Sequence, residues 1–180
     1  MCVPRLYPEA RHVEEQIRNA FSDVAPPADD DLAYPGGDDG ADLFVFHCPN
    51  WGADWKKVPM EVLTSAFPSL CFMSASAFRF YLPAYMLYVL HEHPIGSLVP
   101  DHVIDVLHQP VLDPARDAQL RAIGRYRVSA LTLDQKRAVL SFLELAQRTA
   151  TDEELREMAE DAIRGYWAQF RAGAGTRPSC

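Results

Sequence analysis

The stretch that decides the fold is Ser74-Ala75-Ser76-Ala77-Phe78-Arg79-Phe80-Tyr81-Leu82-Pro83-Ala84-Tyr85-Met86-Leu87-Tyr88-Val89-Leu90-His91. Ser74 is placed to cap a helix, its hydroxyl accepting from a free N–H of the first turn. From Ala75 to Leu90 almost every residue is apolar or aromatic. Such a helix has no polar face to turn toward water, so it is buried on all sides. Pro83 removes one backbone hydrogen bond and disfavours helical angles at Leu82. The expectation is a helix to Tyr81, a kink, and a second helix starting at Pro83. The run is shorter than the roughly 20 apolar residues that cross a bilayer, and it carries Arg79 and a proline. It reads as a core helix.

Working outward, Pro8 to Val24 reads as a helix with Pro8 in its first turn and Val13, Ile17, Ala20, Phe21 and Val24 on one stripe. Residues 25–42 form a loop rich in Pro, Gly and Asp, and Leu43 to Phe46 reads as an apolar plug. Trp51 and Trp55 follow among Pro49, Asn50 and Gly52. A short helix is expected from Pro59 to Phe67, ended by Pro68. Downstream, Ser97 to His108 has Val99, Val103, Ile104, Val106 and Leu107 inward. Asp113-Pro114 is expected to open a helix carrying Leu120 and Ile123. Thr132-Leu133-Asp134-Gln135 and Thr151-Asp152-Glu153-Glu154 read as capping boxes opening helices to about Arg148 and Phe170. The fold class is therefore all-α. One domain over residues 1–170, with the acidic loop 25–42 inserted, holds six to seven helices around the Pro-kinked aromatic helix. Residues 171–180 are expected to be a disordered tail.

The chain has 180 residues, 48% hydrophobic and 23% charged, which suits one globular core. Its net charge of -8 is unevenly placed. Ser22 to Asp42 holds seven aspartates and no Lys or Arg, so this segment accounts for nearly all of the excess. The segment from Arg116 to Arg137 is instead basic, with Arg116, Arg121, Arg125, Arg127, Lys136 and Arg137. Nucleic acid is a disfavoured partner for an acidic chain unless that basic face stands apart. The four cysteines lack C-x-x-C spacing, and the first residues lack the apolar core of a signal peptide, so a cytoplasmic location is expected. Cys71, flanked by Leu70 and Phe72, reads as a core thiol.

Four features occur in order. Trp55 precedes Val58-Pro59. Next comes the string Phe78-Arg79-Phe80-Tyr81-Leu82-Pro83-Ala84-Tyr85. Leu131-Thr132-x-x-Gln135 then leads a helix with Phe142-Leu143, and Tyr166-Trp167 closes the series. Together they resemble a bacterial family of uncharacterised proteins, the domain of unknown function 6714, over roughly Val13 to Phe170. The resemblance implies a bacterial cytoplasmic domain and brings no activity with it.

The candidate sites each have two readings. His91, His93, His102 and His108 lie close in sequence with Glu92, Asp101 and Asp105. They suit a divalent ion such as Zn or Fe(II), with His91, His93 and His102 as ligands. They equally suit helix ends, where imidazole complements the dipole and the last carbonyls. His47-Cys48 lacks the orienting third group of a nucleophilic site. Trp51 and Trp55 are either binding anchors or core. Arg79 stands at the rim of a pocket or against the core, and Arg121 and Arg125, one helical turn apart, belong to an anion-binding face, to the intramolecular partner of the acidic loop 25–42, or to a solvated surface. Phosphate-loop, dinucleotide and nucleophile-elbow motifs are missing. The favoured expectation is a protein-interaction or accessory domain, possible in an immunity-like role, with a protein partner, no membrane and no cofactor. The alternative is a small Zn or Fe enzyme using the His91–His108 cluster.

Overall fold

An apolar sequence of this kind can be satisfied only by wrapping helices around it, and the computed structural model shows that arrangement. It describes residues 8–28, 30–34, 54–91 and 98–171. Seven α-helices occur there: α1 Pro8–Ala20, α2 Met60–Ser65, α3 Ala75–His91, α4 Val99–His108, α5 Ala118–Ser129, α6 Leu133–Thr149 and α7 Glu153–Gly165. Helix α3 packs against α1, α2, α4 and α5, while α6 joins α1 to α7, and α7 returns to α4. Among the described residues there is no strand, and no helix is long and apolar enough to cross a membrane.

Helix α3 is unbroken. The separate helix expected from Pro83 does not form, and Pro83 lies inside one helix of 17 residues. An interior proline costs about 3 kcal/mol. Fourteen residues of α3 are buried, and each large apolar side chain among them contributes about 1.5–3 kcal/mol. Packing therefore outweighs the local penalty. Ser74 caps the helix as expected, its Oγ accepting from Ala77 N at 3.1 Å.

Helix α1 buries Val13 and Ile17 and ends at Ala20, short of Val24. Its last carbonyls are taken by donors from elsewhere. Gln135 Nε2 donates to Ala20 O at 3.1 Å, and Trp55 Nε1 donates to Phe21 O at 2.8 Å. A helix end satisfied this way needs no further turn. Phe21 and Val24 remain in the core through the turn that follows. Residues 30–34 then cross the start of α3, where Ala33 forms a single antiparallel bridge with Met73.

Other boundaries shift for local reasons. Pro59 sits at the cap position before α2, and Pro68 lies in the first turn of a 3-10 helix, Phe67–Cys71, where its missing N–H is no loss. Asp113 does not cap α5. It closes a preceding turn by accepting from Ala115 N at 2.8 Å, and Asp117 occupies the cap position without a side-chain bond. The Thr132–Gln135 capping box opens α6 as expected. At α7 the cap is Asp152 rather than Thr151, its carboxylate accepting from Glu154 N and Leu155 N. A carboxylate outcompetes the neighbouring hydroxyl there because it also meets the positive end of the helix dipole. Helix α7 stops at Gly165, where a Cβ would lie 2.7 Å from Val111 Cγ1. A 3-10 helix, Trp167–Phe170, follows, and Trp167 Nε1 donates to Leu107 O at 2.9 Å.

Candidate functional site

Helix α5 differs from its neighbours on both faces. Its buried residues are Gly124, Arg127 and Val128, one stripe at spacings of three and four. Gly124 allows contact with the 3-10 helix Gln109–Val111: a Cβ at that position would stand 2.6 Å from Gln109 Cβ. Arg127 is 1% exposed. Its Nε donates to Met73 O at 2.9 Å, Nη1 to Gln109 Oε1 at 3.2 Å, and Nη2 to Cys71 O. The guanidinium also lies 6.0 Å from the Phe78 ring centroid. Burial lowers its pKa to about 10, opposed by the nearby Cys71 and Tyr34. Among the described residues it has no carboxylate in ion-pair contact. Its role is to tie α5 to the carbonyls just before α3.

The outer side of α5 carries charge of one sign. The helix contains no Asp or Glu. Arg125 Nε donates to Pro110 O at 3.2 Å, and Arg121 Nε is buried without a hydrogen-bond partner. Arg116 stands exposed in the turn before the helix. Arg116, Arg121 and Arg125 form no ion pair with a described residue, whereas Arg137, Arg148, Arg156 and Arg164 on α6 and α7 all do. Leu120 is 47% exposed and Tyr126 is 41% exposed. Tyr126 meets Tyr34 edge to face, centroids 5.4 Å apart. The chain carrying the acidic residues thus reaches α5 at its outer side. Near Arg125, the Tyr166 hydroxyl is pushed up by burial, and the charge of Arg125 opposes that. The rest of the basic segment is used within the fold: Lys136 lies over the Phe170 ring, and Arg137 bonds to Asp134 at 3.2 Å.

The histidines are held by different elements. His91 Nε2 lies 3.2 Å from Glu14 Oε2 on α1. Burial works to raise the Glu14 carboxyl, but the hydrogen bond from Arg18 and the charges of His91 and Arg18 outweigh it and hold Glu14 below its ordinary range. His102 meets Phe67 edge to face at 5.4 Å. Burial lowers its pKa against the effect of Asp105 and of a hydrogen bond to the Pro68 backbone, and its Nε2 has no partner. His93 and Glu92 lie outside the described residues. No group of three or more His, Cys, Asp or Glu suited to a metal ion occurs among the described residues.

Trp55 is 2% exposed and belongs to the core, so its indole is no surface anchor. Trp51, His47 and Cys48 lie outside the described residues. Arg79 is half-buried and donates through Nε to Gln135 Oε1 at 3.0 Å, which places it in the core lattice rather than at a pocket rim. The aromatic face of α3 is core as well, and Tyr85 OH bonds to Ala66 O at 3.1 Å while burial pushes its phenol up. Cys71 is only half-buried, its thiol donating to Pro68 O at 2.9 Å. A shallow groove of about 350 Å³ lies between the end of α1 and the start of α6, lined by Gln16, Asn19, Ala20, Asp134, Arg137 and Ala138. Its acid and base are already paired to each other.

Two structural residues escaped the sequence reading as such. Gln135 was legible only as a cap, yet it also binds Arg79 and Ala20. Arg127 was grouped with a basic patch, although Gly124-x-x-Arg127-Val128 marks an inward stripe.

No curated protein and no solved structure matches the chain. Residues 46–171 match a family model, so the match begins well after Val13. The chain belongs to the family of unknown function DUF6714.

Proposed function

We propose that this chain is a protein-interaction domain, acting as an accessory to a partner in the bacterial cytoplasm. The observation that carries the reading is α5. This helix has 12 residues, buries Val128 as its one apolar side chain, and keeps Leu120 and Tyr126 largely in water. Large apolar side chains on a helix held by so little apolar contact are the raw material of an interface. The polar groups Arg127, Gln135, Arg79 and Tyr85 inside the fold are engaged in hydrogen bonds that hold its elements together.

The test is a photo-crosslinking amino acid placed at Leu120, at Tyr126 and, as a control, at the exposed Arg148 of α6, in cells that make the protein. The expected result is a discrete adduct from the two α5 positions and none from Arg148. No adduct from α5, or the same products from all three positions, overturns the reading.

A further inference from the structure

Resting on that interaction reading, we infer that α5 docks an acidic segment of a partner protein, held through Arg121 and Arg125. Three observations meet here. First, α5 carries three arginines and no acidic residue. Solvated helix faces ordinarily mix both signs, because pairs three or four residues apart stabilise the helix. Second, the arginines of α6 and α7 all have carboxylate partners among the described residues, while Arg121 and Arg125 have none. Third, the Arg121 Nε donor is buried and unused. A buried donor without an acceptor is destabilising, and the half-buried Arg121 side chain is relieved of that cost when it turns outward to pair with a carboxylate.

The spacing favours a short acidic peptide. Arg121 and Arg125 stand one turn apart, about 6 Å along the axis, which matches two carboxylates of one segment. A nucleic-acid strand needs a longer basic track to gain affinity than these two arginines provide.

The experiment uses the full chain and a fluorescein-labelled peptide of eight glutamates, read by fluorescence anisotropy at low salt. Saturable binding is expected. The variant Arg121→Gln/Arg125→Gln should weaken it at least about fivefold, the scale of two lost surface charge contacts. The variant Arg156→Gln/Arg164→Gln on α7 should leave it within about twofold by the same measure. Circular dichroism checks that both variants fold, and Arg121→Lys/Arg125→Lys should restore part of the binding if charge is what the peptide reads.

No saturable binding, or equal weakening by the α5 and α7 variants, overturns the proposal. Tighter, arginine-dependent binding of a single-stranded RNA of similar length overturns it in favour of nucleic acid. Binding that emerges only in Asp38→Asn/Asp39→Asn/Asp42→Asn overturns it in favour of the chain's own carboxylates as occupant. Crosslinks from α5 without arginine-dependent peptide binding leave the interaction reading standing and remove the acidic partner.

Discussion

Helices α5 and α7 are nearly equal in length, 12 and 13 residues, and both lie on the outside of the fold, yet they are held by opposite means. Helix α7 buries Ala159, Ala162 and Ile163, is capped by Asp152, and pairs Arg156 and Arg164 with acids three or four residues away. It is complete in itself. Helix α5 buries a glycine, an arginine and a valine, has no side-chain cap bond, and holds its surface charges without carboxylate partners among the described residues. Its attachment is polar and its outer side is unfinished. The contrast teaches that two surface helices of one fold can differ in where their charges are placed, α7 pairing them within the helix and α5 leaving them without carboxylates among the described residues.

The sharpest way to break this comparison is Arg127→Met. If α5 were held as α7 is, an apolar residue at a buried position would be neutral or stabilising. The expected result is instead a loss of about 3 kcal/mol in urea unfolding, because Met73 O, Cys71 O and Gln109 Oε1 all lose their donor inside the fold. Next in size is the pair of caps. Asp152→Ala should cost about 1 kcal/mol, and Asp117→Ala a few tenths, since only Asp152 accepts from the first-turn amides. Equal losses would show that α5 has a cap that its geometry does not display. The smallest effect concerns the outer charges. Arg164→Gln should lower stability by about 0.5 kcal/mol or less, the range of exposed ion pairs, and Arg121→Gln, which removes no ion pair or hydrogen bond to a described residue, should not lower it at all. Thermal melts at low and high salt read the difference, because only the α7 variant loses a screened attraction.

The fold was legible wherever a pattern repeated along the chain. The all-round apolarity of Ala75–Leu90 announced a buried helix, and Thr132-x-x-Gln135 announced the start of α6. Boundaries set by distant groups were not legible. Nothing near Ala20 says that Gln135, 115 residues away, will take its carbonyl and end α1. Pro83 misled because proline's penalty is local and the packing that overrides it is not. The site was half legible. Arg121 and Arg125 were found from their spacing, but their lack of carboxylate partners is a property of the assembled surface. Trp55 shows the reverse case: a tryptophan among loop residues looks like an anchor until its indole finds Phe21 O.

The two indole and amide bonds at the end of α1 have a consequence for inheritance. The family match begins at residue 46, yet Trp55 and Gln135 inside it reach back to carbonyls at Phe21 and Ala20 outside it. Val13, Ile17 and Phe21 enter the same core. The recognisable stretch is therefore not an exchangeable module. Moved alone into another protein, it would carry an open apolar wall and two stranded donors, so α1 must travel with it even where its own sequence is free to drift.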